Sequence, residues 1–498
     1  MDLPVLSAAA MRAAEEMAFS RGVTAEALMD EAAVGIAATV TKFFPSPGRC
    51  IVFAGKGNNA GDAFAAAELL RADGWSIELR LAFPEDDLGE LARKKLAECG
   101  RGLSAPTQRA AGAVGPLRPL PHLVLLDGLL GLGAKPPLRE PIRAACREIN
   151  NLRREENAFV VALDLPTGLD GDTGEADADC VVADVTATIG FAKRGLLADD
   201  ALNFVGRLEV VPLRELRGET SGAQALVAVP ASLRNLLPRR KFGAYKNQFG
   251  RIGVVAGSKA FTGASILCTL GALRAGAGLV ELFVPEEIYQ IVAASAPPEA
   301  MVKPIQSYRS LGEEPIDVWA VGPGLGVTAA SEILGLIETA AQPMVIDADG
   351  LNILSQDMAV LTRSAGLRLL TPHPGEMHRL FPAEKLSRAE LVTDFCQNYS
   401  ATLLLKGSRT LVAEHNRPIS YNTTGNPGMA TGGMGDVLTG VCAALITQKL
   451  TAYDAARTGA WVCGRAAEIA IFNGTASEQS LLPSDLLMHL GAAFRELA

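Results

Sequence analysis

Short apolar runs alternate with longer helical patterns along this chain. "CIVFAG" (50–55) precedes "DAFAAAELLRADG" (62–74), "HLVLLDG" (122–128) and "AFVVALDLP" (158–166) follow, and later "GRIGVVAGS" (250–258) precedes "ASILCTLGALRAGAG" (264–278). That alternation predicts parallel sheets with crossover helices, an α/β fold. The clearest break is "RELRGETSGAQ" (214–224), polar and aperiodic, before a fresh apolar start at "ALVAVP". Two domains are expected, 1–215 and 220–498. The length of 498 residues lets each bury its own core. Each contains a strand, a glycine-rich turn and a helix, "VFAGKGNNAGDAFAAAELL" and "VVAGSKAFTGASILCTL". Such units recur in unrelated α/β folds, so no internal repeat is inferred.

Composition narrows the function. Apolar residues make up 49% and charged residues 20%, ordinary for a soluble globular chain, while 50 glycines point to many tight loops. A net charge of -9 argues against general affinity for nucleic acid or anionic membranes, so a phosphate-bearing ligand needs a local site. Eight cysteines (Cys50, Cys99, Cys146, Cys180, Cys268, Cys396, Cys442, Cys463) include no C-x-x-C pair. Reduced thiols in a cytoplasm are expected, with neither a zinc knuckle nor a disulfide framework. Glu15 and Glu16 stand where a secretory signal would be apolar, and the N-terminal stretch reads as an amphipathic helix. The longest apolar candidate, "HLVLLDGLLGLGA", is broken by Asp127 and by glycines, so no membrane span is expected.

In "AGKGNNAGDAFAAAELL" the predicted strand ends at Ala54, and Gly55, Gly57 and Gly61 allow positive φ and close approach of a ligand. Helix N-terminal amides would then face a bound phosphate. The spacing satisfies neither the dinucleotide fingerprint nor the P-loop, and a tight turn with Asp62 as N-cap explains it equally well. Two further strands end on Asp127 ("VLLDGLLGLGAKPPL") and Asp164 ("VVALDLPTGLDGDTG"). Ligand crevices in open α/β sheets lie at the carboxyl ends of strands. Two aspartates there, with Asn58 and Asn59 at a third strand end, suit a hard cation and proton transfer.

The set "GNNAGD", "DGLLGLGAKPP", "DLPTGLDGDTG" and "FAKRGLL" resembles the N-terminal epimerase domain of the bifunctional NAD(P)H-hydrate repair enzymes, over nearly all of 1–215. The resemblance implies a Rossmann-like three-layer domain and a potassium ion near Asn59, Asp127 and Thr167. It lays a hydrated nicotinamide dinucleotide along Asn58, Asn59, Ala60, Gly61 and Asp62, and along Gly131, Leu132, Gly133, Ala134, Lys135, Pro136 and Pro137. Asp164 would be the acid/base at the carbon being inverted, with Lys193 as an accessory group. Ala60 and Ala63 replace two glycines usual in that family; at positive φ each would cost on the order of 1 kcal/mol. Thr167 stands where serine is usual, and its hydroxyl can still ligate a cation.

In the second domain, Asp436 follows "ATGGMG" and precedes "VLTGVCAALITQK", whose apolar spacing is helical. Glycines there let amides converge ahead of a helix N-terminus, a place for an anion whose charge grows during reaction. Phosphoryl transfer to an alcohol needs a carboxylate beside the attacking hydroxyl and donors on the phosphoryl oxygens. A glycine turn capped by an aspartate is the plainer alternative. "VWAVGPGLG", "PMVIDADGLNIL", "LLTPHPGEMHRL" and "TLLLKGSRTLVAE" again end strands in glycine, aspartate, histidine or lysine. Lys406 suits a nucleotide phosphate. His373 and His378 do not form a metal pair, and read as a substrate contact and a surface residue; alone, His373 also fits a structural histidine. Asp347 and Asp349 are open to reading as caps of the next helix and are not taken as metal ligands.

Together with "NPGMATGGMGDVLTG" (426–440), these segments resemble the ribokinase-like dehydratase domain of the same repair enzymes, over about 225–495. The resemblance makes Asp436 the base that activates the ring hydroxyl of the hydrate. It places ADP on Lys406, Gly407, Ser408, Arg409 and Thr410, and on Asn426, Pro427, Gly428, Met429, Ala430, Thr431, Gly432, Gly433, Met434 and Gly435. It places the hydrate against Ala264, Gly326, His373, Pro374, Gly375, Glu376, Met377, His378 and Arg379. Phosphorylation of the hydroxyl and loss of phosphate would regenerate NADH or NADPH, with magnesium accompanying the nucleotide and a homo-oligomeric assembly. Tyr245, in "AYKNQFG", departs from a histidine common in the family. A ribokinase-like kinase of a sugar or vitamin precursor, with an accessory nucleotide-binding domain, would also explain "GGMGD" but leaves the first domain idle. A binding protein without turnover is the remaining reading, and Asn59, Asp127 and Asp164 speak against it.

Overall fold

"RCIVFA" forms strand β1 (Arg49–Ala54), in which every residue after Arg49 is buried, as befits a parallel strand covered on both faces. The computed structural model describes residues 3–100, 122–216, 223–383 and 385–498. The chain divides into two compact units, one of residues 4–221, the other of 222–498 with 1–3. The segment expected to hold the boundary, 214–224, includes residues 217–222, which lie outside the described residues.

In the first unit, helices α1 (Ala8–Ser20) and α2 (Ala25–Phe43) precede β1. There follow α3 (Asn58–Ala72), β2 (Ser76–Leu81), α4 (Glu90–Gly100), β3 (Leu123–Gly128), α5 (Ile142–Glu155), β4 (Phe159–Leu163), β5 (Val185–Ile189) and β6 (Arg207–Val211). The six strands run parallel in the order β2-β1-β3-β4-β5-β6. Alternate strand residues serve two cores. Val52, Val124 and Leu126 pack with Ile36 of α2 and Phe64 of α3, while Ile51, Phe53 and Leu125 pack with Ile142 and Ile149 of α5. This is the three-layer arrangement.

Around "GKGNNAGD" the structure corrects three expectations. α3 starts at Asn58 with Gly57 as N-cap (φ -98°), so Asp62 lies inside the helix and caps nothing. None of Gly55, Gly57 and Gly61 has positive φ. Gly55 is there for close approach, since a Cβ would stand 1.9 Å from Leu129 O, and a Cβ on Gly61 would meet Met29 Cε at 2.5 Å. Ala60 and Ala63 are fully buried residues of a regular helix, so the two departures from the family's glycines carry no left-handed strain.

The second unit contains β7 (Ala225–Val227), β8 (Arg251–Val255), α6 (Thr262–Arg274), β9 (Leu279–Pro285), β10 (Met301–Ile305), β11 (Val318–Val321), α7 (Ala330–Thr339), β12 (Met344–Ile346) and α8 (Asp349–Leu354). After them come β13 (Arg368–Leu370), α9 (Pro374–Leu380), α10 (Arg388–Asn398), β14 (Thr402–Leu405), β15 (Leu411–Ala413), β16 (Ile419–Tyr421), α11 (Met434–Thr447), α12 (Ala452–Phe472) and α13 (Pro483–Arg495). The order is β7-β16-β15-β14-β13-β12-β11-β8-β9-β10. Strands β14 to β16 pair antiparallel and the other pairs are parallel. One face shares its core with α6, α11, α12 and α13. Helices α6 and α11 touch backbone to backbone: a Cβ on Gly271 would lie 2.4 Å from Val437 O, and one on Gly440 2.0 Å from Cys268 O. Of the fourteen residues of α11, only Gly435 and Asp436 are not buried.

Candidate functional site

At the carboxyl ends of the first unit's strands lies a cavity of about 510 Å³. Its lining includes Asn58, Asn59 and Asp62 of α3, Leu130 to Leu132 and Ala134 after β3, Asp164 after β4, and Lys193 after β5. Asp164 is held in the left-handed region (φ 66°). Its Oδ2 accepts the Leu132 amide at 3.2 Å, and its Oδ1 accepts the Ile189 amide at 3.3 Å and pairs with the Lys193 ammonium. Lys193 is 1% exposed and also donates to Thr188 Oγ1 (3.0 Å) and Ile189 O (2.8 Å). All three of its protons are thereby used, which fixes the ammonium against Asp164.

Beside this cavity, Asp127 is fully buried and accepts the Thr167 hydroxyl (2.7 Å) and amide (2.8 Å). Burial pushes its carboxyl up to about 6, against the hydrogen bonds from Thr167 and Leu129. Asn59 donates Nδ2 to Leu130 O at 3.0 Å, while its buried Oδ1 has no hydrogen-bond partner among the described residues. A buried oxygen left without a donor is a natural ligand for a cation.

In the second unit Gly433 (φ 95°) is the N-cap of α11 and Asp436 lies in its first turn. Lys406, just past β14, gives its ammonium to Asp347 Oδ1 at 2.6 Å and lies 3.7 Å from Glu376 Oε2. Thr439 Oγ donates to Asp347 Oδ2 at 2.8 Å. Burial works against the charge of Lys406 but is outweighed by Asp347, Glu376 and Asp436, so its pKa is raised. Asp436 makes no such pair. Burial first, then Asp347, push its carboxyl up to about 7 against the pull of Lys406, with Asp349 and Glu376 adding to the rise. The result is a carboxylate poised to take a proton near neutral pH, at a helix N-terminus whose first-turn amides have no intrahelical acceptors.

The neighbouring loops are joined by hydrogen bonds. Gly326 donates its amide to Asp349 Oδ2 (2.8 Å), Asn352 Nδ2 donates to Asp349 Oδ1 (3.2 Å), and Arg379 Nε donates to Asn352 Oδ1 (2.9 Å). A Cβ on Gly324 would stand 2.9 Å from Ala264 Cβ, which brings that residue to the same loop. Gly425 (φ 117°) begins the glycine-rich segment and donates its amide to the buried Glu468 of α12 at 2.9 Å.

Several expected residues stand elsewhere than on the open site. In the first unit Ala60 and Gly61 are buried in α3, and Gly133, Lys135, Pro136 and Pro137 do not line the cavity. In the second, Met377 is fully buried, and no hydrogen bond or ion pair joins exposed His378 to the cluster. His373 caps α9, its Nδ1 accepting the Gly375 (3.0 Å) and Glu376 (3.3 Å) amides, which is the structural histidine weighed above. Asp347 and Asp349 cap nothing: the N-cap of α8 is Ala348, at φ 50°. After Lys406 the turn 407–410 is pinned by Arg388, which donates to Ser408 O at 3.0 Å, and by Thr410, which donates to Gly407 O at 3.1 Å. Asn426 Oδ1 accepts the Gly428 amide at 3.0 Å, and Thr431 donates to Gly428 O at 3.0 Å. Tyr245 is exposed.

Sequence reasoning missed Arg12 and Glu15 in the first cavity, and Thr439, Glu468 and the pairing of Asp347 in the second site. The one available signal was charge on the otherwise apolar face of a helix, as with Glu468 in α12. Among the described residues no three His, Cys, Asp or Glu side chains are grouped to hold a metal ion. All eight cysteines are unpaired and buried, and no described helix is long and apolar enough to cross a membrane.

Comparison with known proteins matches both units. Residues 25–195 fit the family described as YjeF-related protein N-terminus, and 252–489 fit NAD(P)H-hydrate dehydratase. A bifunctional NAD(P)H-hydrate repair enzyme of Moorella thermoacetica is 35% identical, over 94% of this chain and 92% of that protein. One of Pyrobaculum aerophilum is 34% identical, over 92% of this chain and 93% of that protein. The crystal structure of an ADP/ATP-dependent NAD(P)H-hydrate dehydratase from Bacillus subtilis, co-crystallized with ATP/Mg2+, is 27% identical and covers 54% of this chain and 98% of that one, with a TM-score of 0.48. Identity above 30% over more than nine-tenths of both partners makes this chain a member of the bifunctional NAD(P)H-hydrate repair enzyme family.

Proposed function

We propose that the chain repairs hydrated NADH and NADPH, its first unit interconverting the R and S hydrates and its second dehydrating the S form. ADP is the phosphoryl donor and ends as AMP and phosphate. The observation that carries the reading is Asp436: an unpaired carboxylate, raised to about 7, at the mouth of a glycine-capped helix beside the Lys406–Asp347 pair. It takes the proton of the ring hydroxyl. The amides of Gly432, Gly433, Met434 and Gly435 face the transferring phosphoryl group, and loss of phosphate, followed by loss of a proton from the neighbouring ring carbon, restores the ring double bond. Lys406, Gly407 to Thr410 and Asn426 to Thr431 hold the nucleotide. Ala264, Gly326, His373 to Glu376 and Arg379 form the hydrate's side of the site. Magnesium accompanying the nucleotide would supply positive charge that offsets its phosphates.

In the first unit Asp164, oriented by Lys193, handles the proton at the inverted carbon. Asn58, Asn59 and Asp62, with Gly131, Leu132 and Ala134, carry the rest of the dinucleotide. Asn59 Oδ1, Asp127 and the Thr167 hydroxyl suit a potassium ion, which would supply a fixed positive charge beside the cavity. Fusion of the two activities has a chemical reason, since a stereospecific dehydratase alone would leave the R hydrate untouched. Buried free thiols accord with a reducing compartment, and the reading places the enzyme in the cytoplasm as a homo-oligomer.

The deciding experiment offers S hydrate with ADP or ATP to the wild type and to Asp436→Asn. Release of phosphate with recovery of dihydronicotinamide absorbance is expected from the wild type; a stable phosphorylated product would identify a kinase instead. Asp436→Asn should lose dehydration by about 10³-fold or more while exchange between epimers persists. An active variant would remove Asp436 from its role.

A further inference from the structure

Glu15, on α1, lines the same cavity as Asp164 and has no part in the reading above. Met11 and Glu15 stand one helical turn apart, and both reach the cavity together with Arg12. Glu15 makes no hydrogen bond or ion pair among the described residues, whereas both oxygens of Asp164 are occupied. The charged groups that face Glu15 are Arg12 on its own helix, Lys56 in the turn before α3, Asp62 on α3, and Asp164 with Lys193. Burial first, then Asp164, raise the Glu15 carboxyl above its ordinary value, against Lys193 and Arg12. One cavity thus holds an ion-paired carboxylate, Asp164, and two carboxyls that favour their protons: Asp62, raised by burial first and then by Asp164 and Glu15, on α3, and Glu15 on α1. An ion-paired carboxylate and a protonated carboxyl facing one cavity are placed to act as base and acid.

We propose that Glu15 is the proton donor of the epimerase cavity, protonating the ring hydroxyl of the hydrate while Asp164 serves as base. The inference rests on the function proposed above. The hydrate bears its hydroxyl on the ring carbon bonded to nitrogen. Glu15 gives its proton to that hydroxyl, the C–O bond breaks, water leaves, and the nitrogen lone pair forms a C=N bond. Water then adds to the other face of the same carbon, the C=N electrons return to nitrogen, and the surplus proton goes to Asp164. Transfer of that proton back to Glu15 through water restores both groups. No electrons are gained or lost.

The test follows exchange between R and S hydrates by the full chain across pH, with dehydration as an internal reference. Glu15→Gln is expected to lower the exchange kcat by about 100-fold or more with KM within about threefold, leaving dehydration unchanged. It should also lose the limb in which wild-type exchange falls as pH rises through the Glu15 pKa. Glu15→Asp, which keeps the carboxyl, should retain that limb and recover part of the rate; a purely structural role would not separate the two variants in this way. Exchange unchanged in Glu15→Gln, with the limb intact, overturns the proposal alone. Absence of exchange in the wild type overturns the functional reading and the proposal with it.

Discussion

Both units set an aspartate against a lysine, and they use the pair oppositely. In the first, Lys193 grips Asp164, the residue given the chemistry. In the second, Lys406 is neutralised by Asp347, and Asp436, the residue proposed to react, is the carboxylate without an ion pair among the described residues. Pairing fixes the position of Asp164, whereas Asp436, buried beside another carboxylate, titrates near neutrality.

The largest effect should come from breaking the first pair. Lys193→Met strands Asp164 in a cavity where its side chain is 10% exposed. The first unit's transition in denaturant should move down by the equivalent of about 3–5 kcal/mol, with exchange between epimers lost. A variant that stays stable and active would show that the pair is dispensable. A smaller effect tests the second arrangement. Asp347→Asn removes the negative charge nearest in effect to Asp436 and takes from Lys406 its 2.6 Å partner, so the Asp436 pKa falls from about 7. Because the base acts ionised, the acid limb of the dehydration kcat profile should move to lower pH by on the order of one unit. A limb that stays put would assign it to another group.

The smallest effect separates the two glycine turns. Gly433→Ala forces a side chain to φ 95° and 2.6 Å from Leu267 Cδ1, and should cost about 1–2 kcal/mol. Gly57→Ala, at φ -98° with nothing within 4 Å of its Cβ, should be neutral within about 0.5 kcal/mol in thermal unfolding. Equal costs would erase the contrast.

The strand ends were legible because parallel strands buried on both faces read as short apolar runs, and because Asp164 and Lys406 directly follow a strand, Asp127 stands in the last two residues of one and Asp436 in the first turn of a helix. The start of α3 was not, since Gly57 caps it without a side chain and the two asparagines look like turn residues. Contacts across the fold were also hidden: Lys406 meets Asp347 over 59 positions and Thr439 meets it over 92. Nothing local marks Asp347 as a partner to either. Ala348 at φ 50° is likewise invisible, because alanine carries no preference for that region. Arg12 and Glu15 sat in a segment whose pattern showed only an amphipathic helix, and the cavity they enter is assembled by strands far along the chain.

Gly435 adds a point about precision. A Cβ there would lie 3.1 Å from Lys406 Nζ and 3.3 Å from Asp347 Oδ2, so the main chain of α11 rests directly on the ion pair. Asp436 is the next residue. The spacing between base and ion pair is therefore set by a rigid helix lying against two buried side chains and is largely independent of flexible torsions. Each catalytic cycle begins from nearly the same charge geometry, and motions that loosen the loops on either side leave that spacing unchanged.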